Sequence, residues 1–212
     1  AASRGEGNCE AAATEDAERV DVLVKLIRLI AHLAISPAIG EQIATSPSSL
    51  ALLKVLQVGR MEVHEELLLN AASAATNLTY YMPDSSALLR SHAQLCQVLV
   101  PVLVFPNAEG MIEAARALGN LSRLAEARVT LCAARVHEAL LLLLDHTSSQ
   151  VAEAACGALI NLAADPATRE LLTACHAAPR LADLLLTLLS PPVGRGAAEG
   201  GAADGGAGGG AR

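Results

Sequence analysis

"EAARALGNLS", residues 113–122, ends an alanine-rich helical stretch on an Asn-Leu pair. The same ending recurs as "NAASAATNLT" at 70–79 and as "EAACGALINLA" at 153–163. In each, small residues three or four positions apart leave one flank narrow enough for a second helix to approach closely. Asn77 and Asn120 lie 43 residues apart, Asn120 and Asn161 lie 41 apart, and a His32-Leu33 pair stands 45 residues before Asn77. Self-similarity at this period, carried by helices, marks a stack of repeats.

Composition agrees with an all-α reading. Hydrophobic residues make up 52% of the 212, enough for a sizeable core, yet there are one Phe, two Tyr and no Trp. The core must therefore be built from Leu, Ala, Val and Ile, a palette that favours helices over a sandwich or barrel. Six acidic residues (Glu6, Glu10, Glu15, Asp16, Glu18, Asp21) crowd the first 21 positions. From Val22 to Ser190 the balance is 11 basic against 14 acidic residues, with no basic stripe and no interleaved aromatics, which argues against nucleic acid as a partner. Five cysteines (Cys9, Cys96, Cys132, Cys156, Cys175) at irregular spacing, four inside apolar helical patterns, read as reduced thiols in a reducing compartment. The longest apolar runs, 95–105 and 139–145, fall short of the roughly 18 to 20 residues a bilayer crossing needs, so no membrane partner is expected.

Each period carries the same punctuation. After the Asn-Leu helix comes a break with Pro or Asp ("ISPA" at 35–38, "YMPDSS" at 81–86, "AADPAT" at 163–168), then a short helix, then a more apolar one such as "LCQVLVPVLVF" or "VHEALLLLLD". In "ADPATRE", Asp165 is placed to cap a helix whose first position is Pro166, where a missing N–H costs nothing. Pro101 lies inside an apolar helix and is expected to kink it.

A short helix, an apolar helix and a long helix ending in "ALxNL" resemble the armadillo repeat. Three helices per period favour it over the two-helix HEAT repeat. The resemblance implies a right-handed α-solenoid with about three full repeats (38–80, 84–123 and 125–164) and partial repeats at 17–34 and 166–190. Residues 1–16 are expected as an acidic flexible arm, and the Gly/Ala-rich stretch 191–212 as a disordered tail. Both ends of the stack expose faces that a neighbour should cover, so the chain reads as part of a longer one. Three stretches in order, "HEELLLNAASAATNLTYY", "EGMIEAARALGNLSR" and "ACGALINLAADPATRELL", are similar to a branch of the family implicated in assembling the axoneme of motile cilia and flagella. That branch acts as an adaptor between radial-spoke components and the intraflagellar transport machinery.

In armadillo proteins the third helices line a concave groove, and the resemblance implies that Asn77, Asn120 and Asn161 face it. An asparagine amide offers a donor and an acceptor, which suits the backbone of an extended peptide. Helices roughly 8–10 Å apart meet a peptide rising roughly 3.3 Å per residue, so one Asn per repeat engages about every third residue. An asparagine near a helix end can equally bond a neighbouring turn, and the sequence leaves both uses open. Helical spacing back from His32 puts Arg28 and Lys25 on the same face, joined by Arg116 and Arg123, so a mildly basic floor is expected, one that prefers neutral or acidic segments. Importin-like carriers place Trp four residues before each Asn; here those positions are Ser73, Arg116 and Gly157, which puts import of basic signals in doubt.

Candidate chemistry is sparse. The six histidines show no pair at helical ligand spacing, and Cys175 and His176, being adjacent, cannot face one metal from a regular helix. Cys132 and His137 fall in different expected helices with no acid placed to orient them. "GGAGGG" follows no strand and opens no helix, so it lacks the dinucleotide-site context. No catalytic residue, metal or cofactor is expected. The reading is a non-enzymatic scaffold or adaptor for other proteins, in the cytoplasm and the cilium or flagellum axoneme by resemblance, with a catenin- or importin-like cargo binder as the alternative.

Overall fold

The computed structural model describes residues 3–81 and 86–190. Among them the regular structure is helical: α1 (Ser3–Leu33), α2 (Pro37–Thr45), a 3-10 turn (Pro47–Ser49), α3 (Leu50–Val58), α4 (Met61–Tyr80), α5 (Ala87–Arg90), α6 (His92–Val104), α7 (Ala108–Leu121), α8 (Ala125–Ala133), α9 (Val136–Leu143), α10 (Ser149–Leu162), α11 (Pro166–Ala174) and α12 (Ala177–Leu189). Residues 3–16, expected as a flexible arm, form the first turns of α1 instead. The stretch is rich in Ala and Glu, and no Gly or Pro interrupts the chain between Asn8 and Ser36, so helix propensity outweighs the acidic character of the segment. The expected disordered tail, and most of the expected break at 81–86, lie outside the described residues.

The long helices form a row, α1 on α4, α4 on α7 and α7 on α10. The shorter helices pack behind it: α2 and α3 against α4, α6 against α7, and α9 against α10. Between the layers sit fully buried leucines, among them Leu78, Leu95, Leu99, Leu103, Leu118, Leu121, Leu140 and Leu162. Burying each such side chain contributes about 1.5–3 kcal/mol, and together they hold the two layers. Along the row the alanines do a different job. Ala71, Ala74 and Ala75 on α4, Ala114, Ala115 and Ala117 on α7, and Ala155 and Ala158 on α10 are all buried, and their small size permits the close helix spacing.

Local signals explain the helix ends. Asp165 Oδ2 accepts from the Thr168 N–H at 2.9 Å with Pro166 in the first helical position, as the sequence leads one to expect. Asn107 Oδ1 accepts from the Gly110 N–H at 2.9 Å and starts α7. Arg135 and His176, 41 residues apart, both take φ 57° at the corners before α9 and α12, so the two corners are built alike. Pro101 does not break α6, which continues to Val104. Pro101 and Gln97, whose carbonyl loses its helical partner, are both exposed, so water can satisfy that carbonyl and the interruption is tolerated. No single described helix is long and apolar enough to cross a membrane.

Candidate functional site

The row α1, α4, α7 and α10 presents two successive recesses on one face. The first is lined by Arg28, Ala31, His32, Glu66, Asn70, Ser73 and Asn77, among others, from α1 and α4. The second is lined by Thr76, Tyr80, Arg116, Gly119, Asn120, Glu153, Gly157 and Asn161 from α4, α7 and α10. Of the sequence-predicted site residues, Arg28, His32, Asn77, Arg116, Asn120 and Asn161 thus lie along this groove. Lys25 does not line either recess; it is exposed and pairs with Asp21 one turn earlier on its own helix.

The asparagines are bonded to the stack itself. Asn77 Nδ2 donates to the Ala31 carbonyl at 2.9 Å, Asn120 Nδ2 to the Thr76 carbonyl at 3.0 Å, and Asn161 Nδ2 to the Gly119 carbonyl at 2.9 Å. Each acceptor immediately precedes the equivalent Asn or His of the helix before, so a single contact is repeated three times along the row. Asn120 Nδ2 also reaches Thr79 Oγ1 at 3.2 Å, and the Thr76 hydroxyl donates onward to the Glu113 carbonyl at 2.8 Å. Among the described residues the Oδ1 of each asparagine has no hydrogen-bond partner, and all three asparagines are half-buried in the groove lining. The structural use left open by the sequence is therefore present, and it occupies one part of each amide.

The expected basic bias of the floor is absent. Arg28 Nη2 pairs with Glu66 and its Nε donates to Asn70 Oδ1 at 3.3 Å, both on the neighbouring α4. Arg116 lies 3.6 Å from Glu113 one turn earlier, and Glu109 and Glu153 add carboxylates to the lining. A face counted as basic along one helix becomes balanced once its neighbours are in place. Arg123 leaves the floor for the edge, donating to the Tyr80 carbonyl at 2.7 Å and lying 5.8 Å from the Tyr80 ring centre.

Two further arginines do a job that the sequence reading missed. Arg128 Nη1 donates to the Ser122 and Arg123 carbonyls, and Arg169 Nη1, 41 residues later, to the Ala163 and Ala164 carbonyls. Each places a cation at the C-terminus of the third helix before it, where carbonyls lack partners and the helix dipole is negative. The recurrence of an arginine at the same repeat position is a signal that could have revealed it.

One cluster of potential ligand atoms does form. His137, Glu138 and Cys175 bring one such atom each within 4.8 Å of one another. Glu138 is already committed: its Oε1 and Oε2 accept from Arg135 Nε and Nη2, which holds its carboxyl below the usual range. His137 is buried with Nδ1 unbonded, and its pKa is lowered from 6.5 chiefly by that burial, with Glu138 opposing and Arg135 adding to the shift. A neutral buried imidazole has a pH consequence. The unfolded chain binds the proton at about its ordinary pKa of 6.5 and the folded chain only below that, so stability should fall as pH drops from 6.5 to the lowered value. For one proton the slope does not exceed about 1.4 kcal/mol per pH unit. Thermal midpoints measured from pH 7.5 down to 5 should decline for the native chain and hold flatter for His137→Leu; equal slopes would assign the decline to other groups. Cys96 is buried in α6 and its thiol is pushed up to about 11, so it stays protonated and unreactive at neutral pH.

A scan against protein-family models returns no match. Curated relatives do match. The chain is 33% identical over 172 residues to armadillo repeat-containing protein 2 of Homo sapiens, 35% over 174 residues to that of Mus musculus, and 33% over 182 residues to that of Bos taurus. These alignments cover 81%, 82% and 85% of this chain, which spans only about a fifth of the relatives' length. Two crystal structures of engineered proteins from the Northeast Structural Genomics Consortium share the fold. One has a TM-score of 0.63 at 27% identity, covering 82% of this chain and 73% of the engineered one; the other has 0.64 at 28%, covering 84% and 45%. With three-helix repeats joined by a recurring asparagine contact, and a sequence that aligns over most of its length with these relatives, the chain belongs to the armadillo-repeat family.

Proposed function

We propose that this chain is a non-enzymatic adaptor whose groove along α1, α4, α7 and α10 holds an extended segment of another protein. The observation that carries this reading is the ladder of part-used amides: each asparagine donates from Nδ2 to the stack, Asn120 with two contacts, and keeps Oδ1 to accept from the backbone of a peptide. The balanced charge beside the ladder suits a segment of mixed or neutral character rather than a lysine-rich one. By resemblance, the partners are radial-spoke or intraflagellar transport components. The adaptor then serves axoneme assembly in the cytoplasm and at the cilium or flagellum.

The inter-helix bonds of the asparagines dictate the test. Changing Asn77, Asn120 and Asn161 to Ala would remove bonds within the stack, so a loss of binding could reflect loosened repeats. Gly157 is better placed: it lines the groove, is exposed, and an added Cβ there meets nothing within 4 Å. Gly157→Trp should therefore fold normally while filling the groove. Proximity labelling in a ciliated cell during cilium regrowth is expected to mark radial-spoke and transport proteins with the native chain and lose them with Gly157→Trp. Equal labelling by both would move the binding to another face. Labelling dominated by nuclear carriers or junction proteins would favour the catenin- or importin-like alternative.

A further inference from the structure

We propose that His137, Glu138 and Cys175 form a zinc(II) site that clips α11 to α9, with the imidazole, the carboxylate and the thiolate as three ligands and solvent at the fourth position. The inference is independent of what the groove binds, since none of the three residues lines either recess. Two neighbours on the first turn of α9 and the C-terminal cap of α11 supply the set, so the site spans the junction between consecutive repeats.

The spacing is close to what zinc requires. Zinc takes nitrogen at about 2.0–2.1 Å, carboxylate oxygen at about 2.0–2.2 Å and sulfur at about 2.3 Å in a tetrahedron, which puts the ligand atoms roughly 3.3–3.8 Å from one another. His137 Nε2 already stands 3.8 Å from Glu138 Oε1, and the three residues bring their ligand atoms within 4.8 Å of one another. The remaining contraction, roughly 1 Å at most, is within the reach of side-chain torsions. A thiolate beside an imidazole and a carboxylate is a donor set for zinc rather than for magnesium or calcium, which take oxygen alone.

The state of the imidazole points the same way. His137 is 4% exposed, its Nδ1 makes no hydrogen bond, and its Nε2 at 3.8 Å from Glu138 is beyond hydrogen-bond reach. A neutral imidazole carries one lone pair, and among the described residues no donor meets this one. Burying it unpaired costs stability, and a bound ion removes that cost. Nor does the repeat itself call for these side chains: 41 residues earlier the same places hold Cys96, Gln97 and Ala134, with Cys96 buried as a small core residue.

Arg135 supports the set rather than blocking it. Its Nε and Nη2 donate to the two Glu138 oxygens. Each carboxylate oxygen has a second lone pair, so Oε1 can accept from Arg135 and bind zinc together, the arrangement in which an outer partner fixes a ligating carboxylate. As the zinc–sulfur bond forms, the Cys175 thiol proton leaves to solvent, and thiolate and carboxylate then match the charge of the ion.

Cobalt(II), a spectroscopic stand-in for zinc, tests this. The chain, reduced with a phosphine and stripped of metal by a chelator, should bind Co²⁺ with a thiolate-to-cobalt charge-transfer band in the near ultraviolet and the strong visible bands of a four-coordinate ion, both lost when Zn²⁺ displaces it. Cys175→Ser should lose the charge-transfer band, Cys132→Ser should keep it, and His137→Leu should bind at least about tenfold more weakly. Zn²⁺ at about 100 times its Kd should raise the thermal midpoint of the native chain by about 5–10 °C and leave that of Cys175→Ser unmoved. Amide exchange should slow in α9 and α11 while α4 stays unchanged. A native chain that shows no charge-transfer band with cobalt in molar excess overturns the proposal. A band that survives Cys175→Ser overturns it too, by placing the metal at another cysteine, as does equal affinity in His137→Leu, which would mean a surface thiol and carboxylate binding on their own. Circular dichroism checks the fold, and if His137→Leu lowers helix content, Glu138→Gln, at a half-buried position, carries the same affinity test.

Discussion

Replacing Leu121 with alanine should cost about 2–5 kcal/mol, while the same change at Leu33 should cost less than about 1 kcal/mol. Both leucines follow the groove-facing residue of a third helix, and by sequence they are the same position in two repeats. Their surroundings differ. Leu121 is 0% exposed between α7 and the helices behind it, so truncation leaves a cavity whose lining cannot fully collapse. Leu33 is 40% exposed at the end of α1, where lost methyl groups are replaced by water. Urea unfolding of the two variants measures the difference. Similar losses would mean that α1 is covered even in the isolated chain; a small loss at Leu121 would mean that the repeats are packed more loosely than their burial indicates.

How much of this was legible in the sequence depends on distance along the chain. The period, the three helices within it and the Asp165–Pro166 start follow from local residue patterns, and the helices fall there. That Asn77, Asn120 and Asn161 share the groove face is what the family resemblance implies, and all three line the recesses. The acceptors of their amides do not follow from local patterns, because Ala31, Thr76 and Gly119 sit 42 to 46 residues earlier, and only stacking brings them near. The floor charge failed for the same reason. Arg28 was counted with residues of its own helix, while the carboxylate that neutralises it, Glu66, is 38 residues away. The acidic N-terminal segment differs for another reason: charge density suggests a solvated arm, whereas the Ala- and Glu-rich run after Asn8, with no Gly or Pro before Ser36, favours helix.

The two groove glycines should respond oppositely to a larger side chain, and this contrast tests whether the spacing of the third helices is what the small residues maintain. A Cβ on Gly119 would lie 3.2 Å from Ala158 Cα and 3.3 Å from Ala158 Cβ, against the backbone of α10 rather than a mobile side-chain tip. Gly119→Ala gains up to about 1 kcal/mol of helix propensity and gives back a similar amount in moving α10 by a few tenths of an ångström, so it should be near neutral. Gly119→Leu cannot be absorbed that way. Overpacking costs about 1–3 kcal/mol, and separating the helices also strains the Asn161 bond to the Gly119 carbonyl, worth about 1 kcal/mol more, for a net loss of about 2–4 kcal/mol. Gly157→Leu, in open space, should instead be neutral or slightly stabilising through propensity. Because repeats couple mainly to their neighbours, the Gly119→Leu loss should fall on the α7–α10 junction first, with faster amide exchange in α9, α10 and α12 while α4 and α6 keep their protection. Uniform acceleration across the chain would mean that the stack opens as one unit, and a tolerated leucine at 119 would remove close helix approach as the reason for the small residues in "EAARALGNLS".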